Sequence, residues 1–353
     1  MRNAGKALTL ALQGGGSHGA YTWGVLDRLL EEEDIEIEAI SGASAGAMNA
    51  VVLAHGFTTG GREGARAALN AFWHEISRRH HKTVLGYSGG VAVADPTAKG
   101  YLFLSRFFSP YQLNPLNLNP LRDILSEQVD FERLRAECRI GLFIATTRAR
   151  TATSRIFSTR ELTLDVLLAS ACLPSIHHSV EIDGEAYWDG GLTANPPLSI
   201  LVYNCSAPDL LVVVLNPARS DAAPSTAEAI SERLTEVSLS STLSVELQSV
   251  ELARKQAKRG LIPLGRLDRR LRGLTLHLLD SGHYMAQLDV NSRFNTDTNF
   301  IEALRDEGRS RAQAWLNDYF RHFRARPTIF DLAARAASAV RFRPQARSAE
   351  GAV

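Results

Sequence analysis

The sequence predicts a three-layer α/β/α fold on a mainly parallel central sheet, continued by a helical C-terminal extension. Three observations carry that expectation. Short apolar runs alternate with helical patterns from residue 7 onwards, as in successive βαβ units. Two glycine-rich turns, Gly14-Gly15-Gly16-Ser17-His18-Gly19 and Gly42-Ala43-Ser44-Ala45-Gly46, each follow an apolar run and open a helical one. With 45% hydrophobic and 22% charged residues over 353 positions, the chain suits one large or two ordinary globular domains and not wholesale disorder.

The elements follow in order. Residues 7–12 form a first strand, and Tyr21, Val25, Leu26, Leu29 and Leu30 recur at helical spacing after the first turn. The acidic run Glu31 to Asp34 is the solvated end of that helix. Ile35, Ile37 and Ile40 lead into a second strand, and a small-residue helix covers Ala47 to Ala54. Residues 84–120 have a different texture: only Asp95, Lys99 and Arg106 are charged, while Tyr87, Tyr101, Phe103, Phe107, Phe108 and Tyr111 cluster there, ahead of two Asn-Pro turns. Such a stretch is either a packed cap or an apolar lid beside an acyl-chain pocket. Strands are expected at 140–146 and 155–158, a helix at 162–172, a hairpin at Asp183-Gly184 and an apolar strand at 210–215. A long helix over 226–259, a strand at 274–279 and a helix over 299–323 complete the pattern. The expected organisation is a catalytic domain over 7–220, a helical extension with one further strand over 221–330, and a disordered basic tail over 331–353.

Composition excludes several functions. Lys plus Arg number 39 against 38 Asp plus Glu, a net charge of +1 that offers no field for nucleic acid. Cys138, Cys172 and Cys205 lie far apart with no CxxC pair, which excludes a disulfide framework or zinc ribbon and suits a reducing compartment. The histidine pairs lack H-E-x-x-H spacing, so no metal is expected. The apolar stretch Ala7 to Leu12 behind Arg2 and Lys6 is too short for a signal peptide. No run approaches the ~18 apolar residues of a membrane span. A cytoplasmic protein, at most peripheral at the membrane, is expected. Residues 254–273 carry eight Lys or Arg against one acid, interleaved with Leu264, Leu267, Leu271 and Leu274. This basic amphipathic element is either a solvated helix packed on the domain or a contact for anionic membrane.

The turns carry the chemistry. Gly42-Ala43-Ser44-Ala45-Gly46 fits G-x-S-x-G between a strand and a helix. A serine there sits on a sharp turn that small neighbours permit, with its hydroxyl at a helix N-terminus that favours developing negative charge. Gly14-x-Gly16-x-x-Gly19 has two readings. With Asp34, Glu36 and Glu38 about 20 residues on, it fits a dinucleotide-binding loop. With Gly15 it gives three consecutive glycines whose N–H groups can form an anion nest, an oxyanion hole beside Ser44. Further on, Tyr187-Trp188-Asp189-Gly190-Gly191 places an aspartate in a tight turn, and Asn195-Pro196-Pro197 reads as an N-cap with proline at the first helical position. A Ser-Asp-His triad using His283 of Ser281-Gly282-His283-Tyr284, with Asp209 or Asp280, also has a suitable chain order.

Together, the glycine triplet near the N-terminus, G-x-S-x-G some 30 residues later and a distant Asp-Gly-Gly resemble the patatin-like phospholipases over about residues 7–220. The resemblance implies a Ser–Asp dyad without histidine, with Ser44 as nucleophile and Asp189 as general base. It implies oxyanion donors from Gly14, Gly15, Gly16 and Ala45, with Gly19, Gly42, Gly46, Gly190 and Gly191 shaping the motifs. The family carries Arg or Lys where this chain has His18, a position that a protonated histidine would fill. It further implies a lipid acyl-ester substrate, phospholipase A or lysophospholipase chemistry, and no cofactor. An aspartate is a weak base in water, so the dyad needs a dry site, and Tyr187 and Trp188 are the expected agents of desolvation. The rival class is a nucleotide- or lipid-binding module whose glycine loop is not catalytic.

Overall fold

The computed structural model describes residues 6–80, 108–215, 223–260, 262–263, 265–281, 283–288 and 290–321. Its strands are β1 (Lys6–Leu12), β2 (Ile35–Gly42), β3 (Gly141–Arg148), β4 (Thr153–Ser158), β5 (Val180–Ile182), β6 (Glu185–Asp189), β7 (Asp209–Val214) and β8 (Thr275–Asp280). Its helices are α1 (Gly19–Leu30), α2 (Ala45–His80), α3 (Pro110–Leu113), α4 (Pro120–Gln128), α5 (Phe131–Glu137), α6 (Leu164–Ser170), α7 (Ser199–Asn204), α8 (Ala227–Arg259), α9 (Arg266–Gly273), α10 (His283–Ala286) and α11 (Thr298–Arg321).

The sheet runs β5-β6-β3-β2-β1-β7-β8, with β4 paired to β3. Pairings from β3 through β2, β1 and β7 to β8 are parallel, whereas β4 and the β5–β6 hairpin join antiparallel. The hairpin turn is where the sequence places it, with Asp183 and Gly184 both at positive φ. Strand β8 sits beside β7, so the C-terminal extension completes the central sheet.

Side-chain alternation divides the sheet into two buried faces. Leu8, Leu10 and Leu12 of β1 and Leu211 and Val213 of β7 face a core shared with Tyr21, Leu26, Leu53, Phe72 and Trp315. Ala11, Leu210, Val212 and Val214 face the other way, beneath Leu201 of α7, Leu243 and Val250 of α8 and Leu271 of α9. Parallel strands covered on both sides read as near-continuous apolar runs, as Leu210 to Leu215 does. This is the expected three-layer fold, mixed at one edge of the sheet.

Two features depart from the expected elements. The helix expected over Ala47–Ala54 extends from Ala45 to His80, broken only at Gly60 and Gly61, where φ reaches 64° at Gly61. Gly56 and Gly64 pack backbone to backbone across that break. Residues 254–273 form no single helix: Arg254 to Arg259 end α8, and α9 begins at Arg266. Much of the aromatic stretch, and all of the tail 331–353, lie outside the described residues. Its described end leaves Phe108, Tyr111, Leu116 and Leu118 about half exposed or more.

Helix α11 crosses α1 at close range, because Gly24 and Gly308 each meet the other helix's backbone where a Cβ would overlap it. Arg309 of α11 and Arg66 of α2 both pair with Asp27 of α1 and with Glu31 just after it. Residues beyond 290 are thereby tied to the first helix, and so to the glycine loop that precedes it.

Candidate active site

Strand register brings the sequence-predicted residues together. Gly42, the last residue of β2, pairs with Ile144 of β3, and Thr146, two residues on, pairs with Asp189 at the end of β6. Asp189 therefore lies level with Ser44, two residues beyond Gly42. The glycine loop leaves the carboxyl end of β1 next door, between β2 and β7, where the chain's strand order reverses. Open α/β sheets place their ligand crevices at this kind of switch point.

Ser44 adopts φ 51°, a left-handed conformation uncommon for a non-glycine residue. Its N–H donates to the Ser170 carbonyl at 3.1 Å and to Ser170 Oγ at 3.0 Å. The turn is possible because Gly46 lies against the Leu12 carbonyl and Gly42 against Gly46, leaving no room for a Cβ at either position. Asn49, fully buried, then locks the start of α2 by donating to the carbonyls of Gly19 (2.9 Å) and Ala45 (3.1 Å). Its own carbonyl oxygen accepts from Trp73 Nε1 at 3.0 Å.

Asp189 is 2% exposed. Its carboxylate accepts a hydrogen bond from the Gly191 N–H at 2.7 Å, and the Ser44 side chain lies beside it. Burial raises its pKa from an ordinary 3.8 to about 6, a rise that the Gly191 hydrogen bond and the nearby Ser44 hydroxyl only partly oppose. The agents of that burial differ from the expected ones. Trp188 points to the opposite face of β6 from Asp189, by the alternation of a strand, and Tyr187 stacks edge-on against Phe157. Near the site, a small cluster of Ala43, Ala145 and Ala194 is buried, while Gly190 lies against the Ala145 carbonyl. The Cys172 carbonyl accepts the Asp189 N–H at 2.8 Å. Small residues let backbone close over the carboxylate.

The glycine loop differs from expectation at one donor. The Gly14 N–H already donates to Asn195 Oδ1 at 2.7 Å, so Gly14 is not an oxyanion donor. A side chain at Gly14 would collide with Ser44 Cβ and the Ala43 carbonyl, so its role is to let the loop touch the serine turn. Among the described residues, no acceptor engages the N–H groups of Gly15, Gly16 or Ala45. Gly19 packs on Ala45 Cβ, joining the two turns.

Three further expectations change. Asn195 is not an N-cap: it is fully buried, α7 begins only at Ser199, and its amide bridges Gly14 to the Leu239 carbonyl (2.9 Å) of α8. His18 is not a cation: it is 7% exposed, and burial, with the nearby charge of Arg293, lowers its pKa to about 4. Asp209 does not face Ser44: it begins β7, level with Leu8, and binds His277 Nε2 at 2.9 Å on the opposite rim of the sheet. The dinucleotide reading loses its acid for the same kind of reason. Asp34, Glu36 and Glu38 sit before or in the first half of β2 instead of at its carboxyl end, and Glu38 is spent on Ser206 and Ala207 N–H groups. Sequence reasoning missed Ser170 and Asn49, and no local pattern marks either.

Asn195 tests how the loop is held. Asn195→Ala would strand the Gly14 N–H, worth about 1–3 kcal/mol when left unpaired in the interior, while the Leu239 carbonyl keeps its helical partner within α8. The expected outcome is a fall in the urea midpoint equivalent to about 1–3 kcal/mol, with a lower kcat in the folded fraction. Equilibrium unfolding followed by ester kinetics checks both.

A serine elbow, a buried aspartate and a glycine loop thus meet at the switch point of the sheet. Residues 10–202, more than half of the chain, match the family Patatin-like phospholipase, and the protein belongs to that family. Comparison with curated protein sequences gives no match. Among solved structures, VipD from Legionella pneumophila is similar with a TM-score of 0.43 and 16% identity, covering 89% of this chain and 67% of VipD. ExoU from Pseudomonas aeruginosa, solved in complex with SpcU, has a TM-score of 0.29 and 12% identity, covering 96% of this chain and 84% of the other.

Proposed function

We propose that this patatin-like protein hydrolyses acyl esters of lipids, in the manner of a phospholipase A or lysophospholipase, through a Ser44–Asp189 dyad. The observation that carries the reading is the placement of Ser44, held at a strained backbone angle, beside the buried Asp189 carboxylate. Ser44 Oγ attacks the ester carbonyl carbon and its proton passes to Asp189. The carbonyl oxygen, now negative, accepts hydrogen bonds from Gly15, Gly16 and Ala45 N–H groups. Asp189 returns the proton to the departing alcohol, leaving an acyl ester on Ser44. Water then gives a proton to Asp189 and its oxygen to the acyl carbon; the Ser44–acyl bond breaks, Asp189 returns the proton to Ser44 Oγ, and the fatty acid leaves. No cofactor enters this cycle. A fluorophosphonate probe, which reacts only with an activated serine, tests the reading: it should label Ser44, and an unlabelled folded protein would favour the non-catalytic binding module.

The surface that would meet lipid is narrower than residues 254–273. Arg254 is buried, Arg270 is partly buried and Arg272 pairs with Asp268. Lys255, Lys258, Arg259, Arg266 and Arg269 are exposed, beside the exposed Leu252, Ile262 and Leu267. Among the described residues no helix is long and apolar enough to cross a membrane. A cation near an anionic surface contributes about 1 kcal/mol, screened by salt. Replacing these five cations with Gln should therefore weaken binding to anionic vesicles at least about tenfold, and leave hydrolysis of a soluble short-chain ester near wild type. Vesicle sedimentation across a salt series checks it, and unchanged binding would return the segment to a solvated surface.

A further inference from the structure

We propose that the cavity between α4, α6 and β5 is the subsite for the departing alcohol, and that it takes the glyceryl group of a monoacyl lipid through that group's free hydroxyls. The inference rests on the dyad reading and names the substrate class of the same site. Strand order gives the direction. The glycine loop follows β1 and Ser44 follows β2, whereas Asp189 ends β6, on the other side of β3. Asp189 protonates the departing alcohol, so the alcohol lies on the Asp189 side of Ser44, away from the oxyanion donors. The cavity lies further along that line. Val180 and Glu181 of β5 line it, and Val180 pairs with Tyr187, two residues before Asp189. Cys172 also lines it, and the Cys172 carbonyl holds the Asp189 N–H at 2.8 Å. So does Leu168 of α6, two residues before the Ser170 that holds the Ser44 N–H. The cavity thus shares a wall with the dyad.

Its size and lining choose the ligand. A volume of about 150 Å³ is space for about five waters, enough for a glyceryl group and too little for a second acyl chain. Asn117, Asn119, Arg122, Asp165 and Glu181 make the lining polar, which is wrong for a hydrocarbon. Nor does it suit an anion. Arg122 Nη2 is already paired with Asp165 Oδ1 at 2.6 Å, and desolvation, with His178 nearby, lowers the His177 pKa to about 4. The charge left over is the negative one of Glu181. Asn119 spends its Oδ1 on the Leu121 N–H at 3.2 Å as the cap of α4, which leaves its Nδ2 to donate. Among the described residues nothing pairs with that Nδ2 or with the Glu181 carboxylate. A free donor and a free acceptor together suit hydroxyls, which do both; a phosphate only accepts and an ammonium only donates. Arg122 and Glu181 are exposed, so the cavity opens to solvent beside them. The phosphate of a lysophospholipid, further out on the glycerol, would stay in that mouth.

The test presents monooleoylglycerol, oleoyl lysophosphatidylcholine, dioleoyl phosphatidylcholine and propyl oleate, which lacks the hydroxyls, to the full chain in the same detergent micelles. The expected result is a kcat/KM for both monoacyl lipids about tenfold or more above that for propyl oleate and for the diacyl lipid. Two variants then probe the cavity. Asn119→Asp keeps an oxygen to cap α4 and loses the donor, and Glu181→Ala loses the acceptor. In each, the preference for the monoacyl lipids over propyl oleate should fall at least about threefold. The ratio is read within one variant, so a smaller folded fraction does not mimic the effect. A wild type with no monoacyl preference would overturn the proposal, as would variants that lower all four rates equally. A loss confined to lysophosphatidylcholine would also overturn it, since that marks a contact with the phosphate or ammonium. A wild type that neither labels with fluorophosphonate nor hydrolyses any of these esters overturns the dyad reading and this inference with it. One that labels and hydrolyses without distinguishing them overturns this inference alone.

Discussion

Ser44→Ala is expected to lower ester hydrolysis by about 10⁴-fold or more and to abolish fluorophosphonate labelling, while the protein stays folded. The size follows from the chemistry. Without Oγ no acyl-enzyme forms, and what remains is transition-state binding by the Gly15, Gly16 and Ala45 N–H groups. The fold should tolerate the change because alanine takes up no more room in the turn. Ser44→Gly should be as inactive yet more stable than the Ala variant, by about 0.5–1 kcal/mol, because glycine relieves the positive φ and repays part of that gain through a freer unfolded chain. Paired thermal melts and labelling gels check both substitutions. Labelling that survives in folded Ser44→Ala protein would move the nucleophile elsewhere.

The residues of this site divide by how far along the chain their partners lie. G-x-S-x-G, the glycine triplet and Asp-Gly-Gly were legible because each is a local solution to a backbone problem. A turn that leaves no space for a Cβ can be read from the residues that lack one, and Gly46 against Leu12 and Gly190 against Ala145 bear this out. The central strands were legible for a related reason, since burial on two faces demands unbroken apolar runs. What the sequence could not show was which distant group meets which. Asn195 looked like an N-cap because Asn before Pro is one locally, yet its amide crosses 181 residues to hold Gly14. Ser170 is an ordinary helix-end serine until β2 and α6 meet and it receives the Ser44 N–H. His18 reads as a cation by residue type, and burial in the folded chain, with the charge of Arg293 nearby, makes it neutral. The length of α2 was hidden by Gly56, Gly60, Gly61 and Gly64, which depress helix propensity while packing, in the case of Gly56 and Gly64, permits the close approach.

Asp189→Asn should be nearly as inactive as Ser44→Ala, and it should also be more stable at neutral pH. Asparagine fits the same space and keeps an oxygen for the Gly191 N–H, but its NH₂ would face Ser44 Oγ with a donor where an acceptor is needed. Proton transfer then has nowhere to go, and residues that act as a unit lose activity together. The stability gain follows from linkage. Asp189 has a folded pKa of about 6 against an ordinary 3.8, so the folded protein keeps a proton that the unfolded chain has released over that range. The wild type therefore loses stability as pH rises from about 4 to 6, and above pH 6 carries the full cost of an ionised buried carboxylate, about 3 kcal/mol. Asparagine carries no such cost. The two proteins should unfold at similar urea concentrations near pH 3.5 and diverge in favour of Asp189→Asn by pH 8. Wild-type kcat/KM on a soluble ester should rise about tenfold per pH unit below about 6 and level off above it, as the base becomes ionised. The charge that costs stability is thus the one the reaction needs. Equal stability of the two proteins at pH 8 would mean that Asp189 is not raised by burial. A folded Asp189→Asn protein that kept most of its activity would give the role of base to another residue.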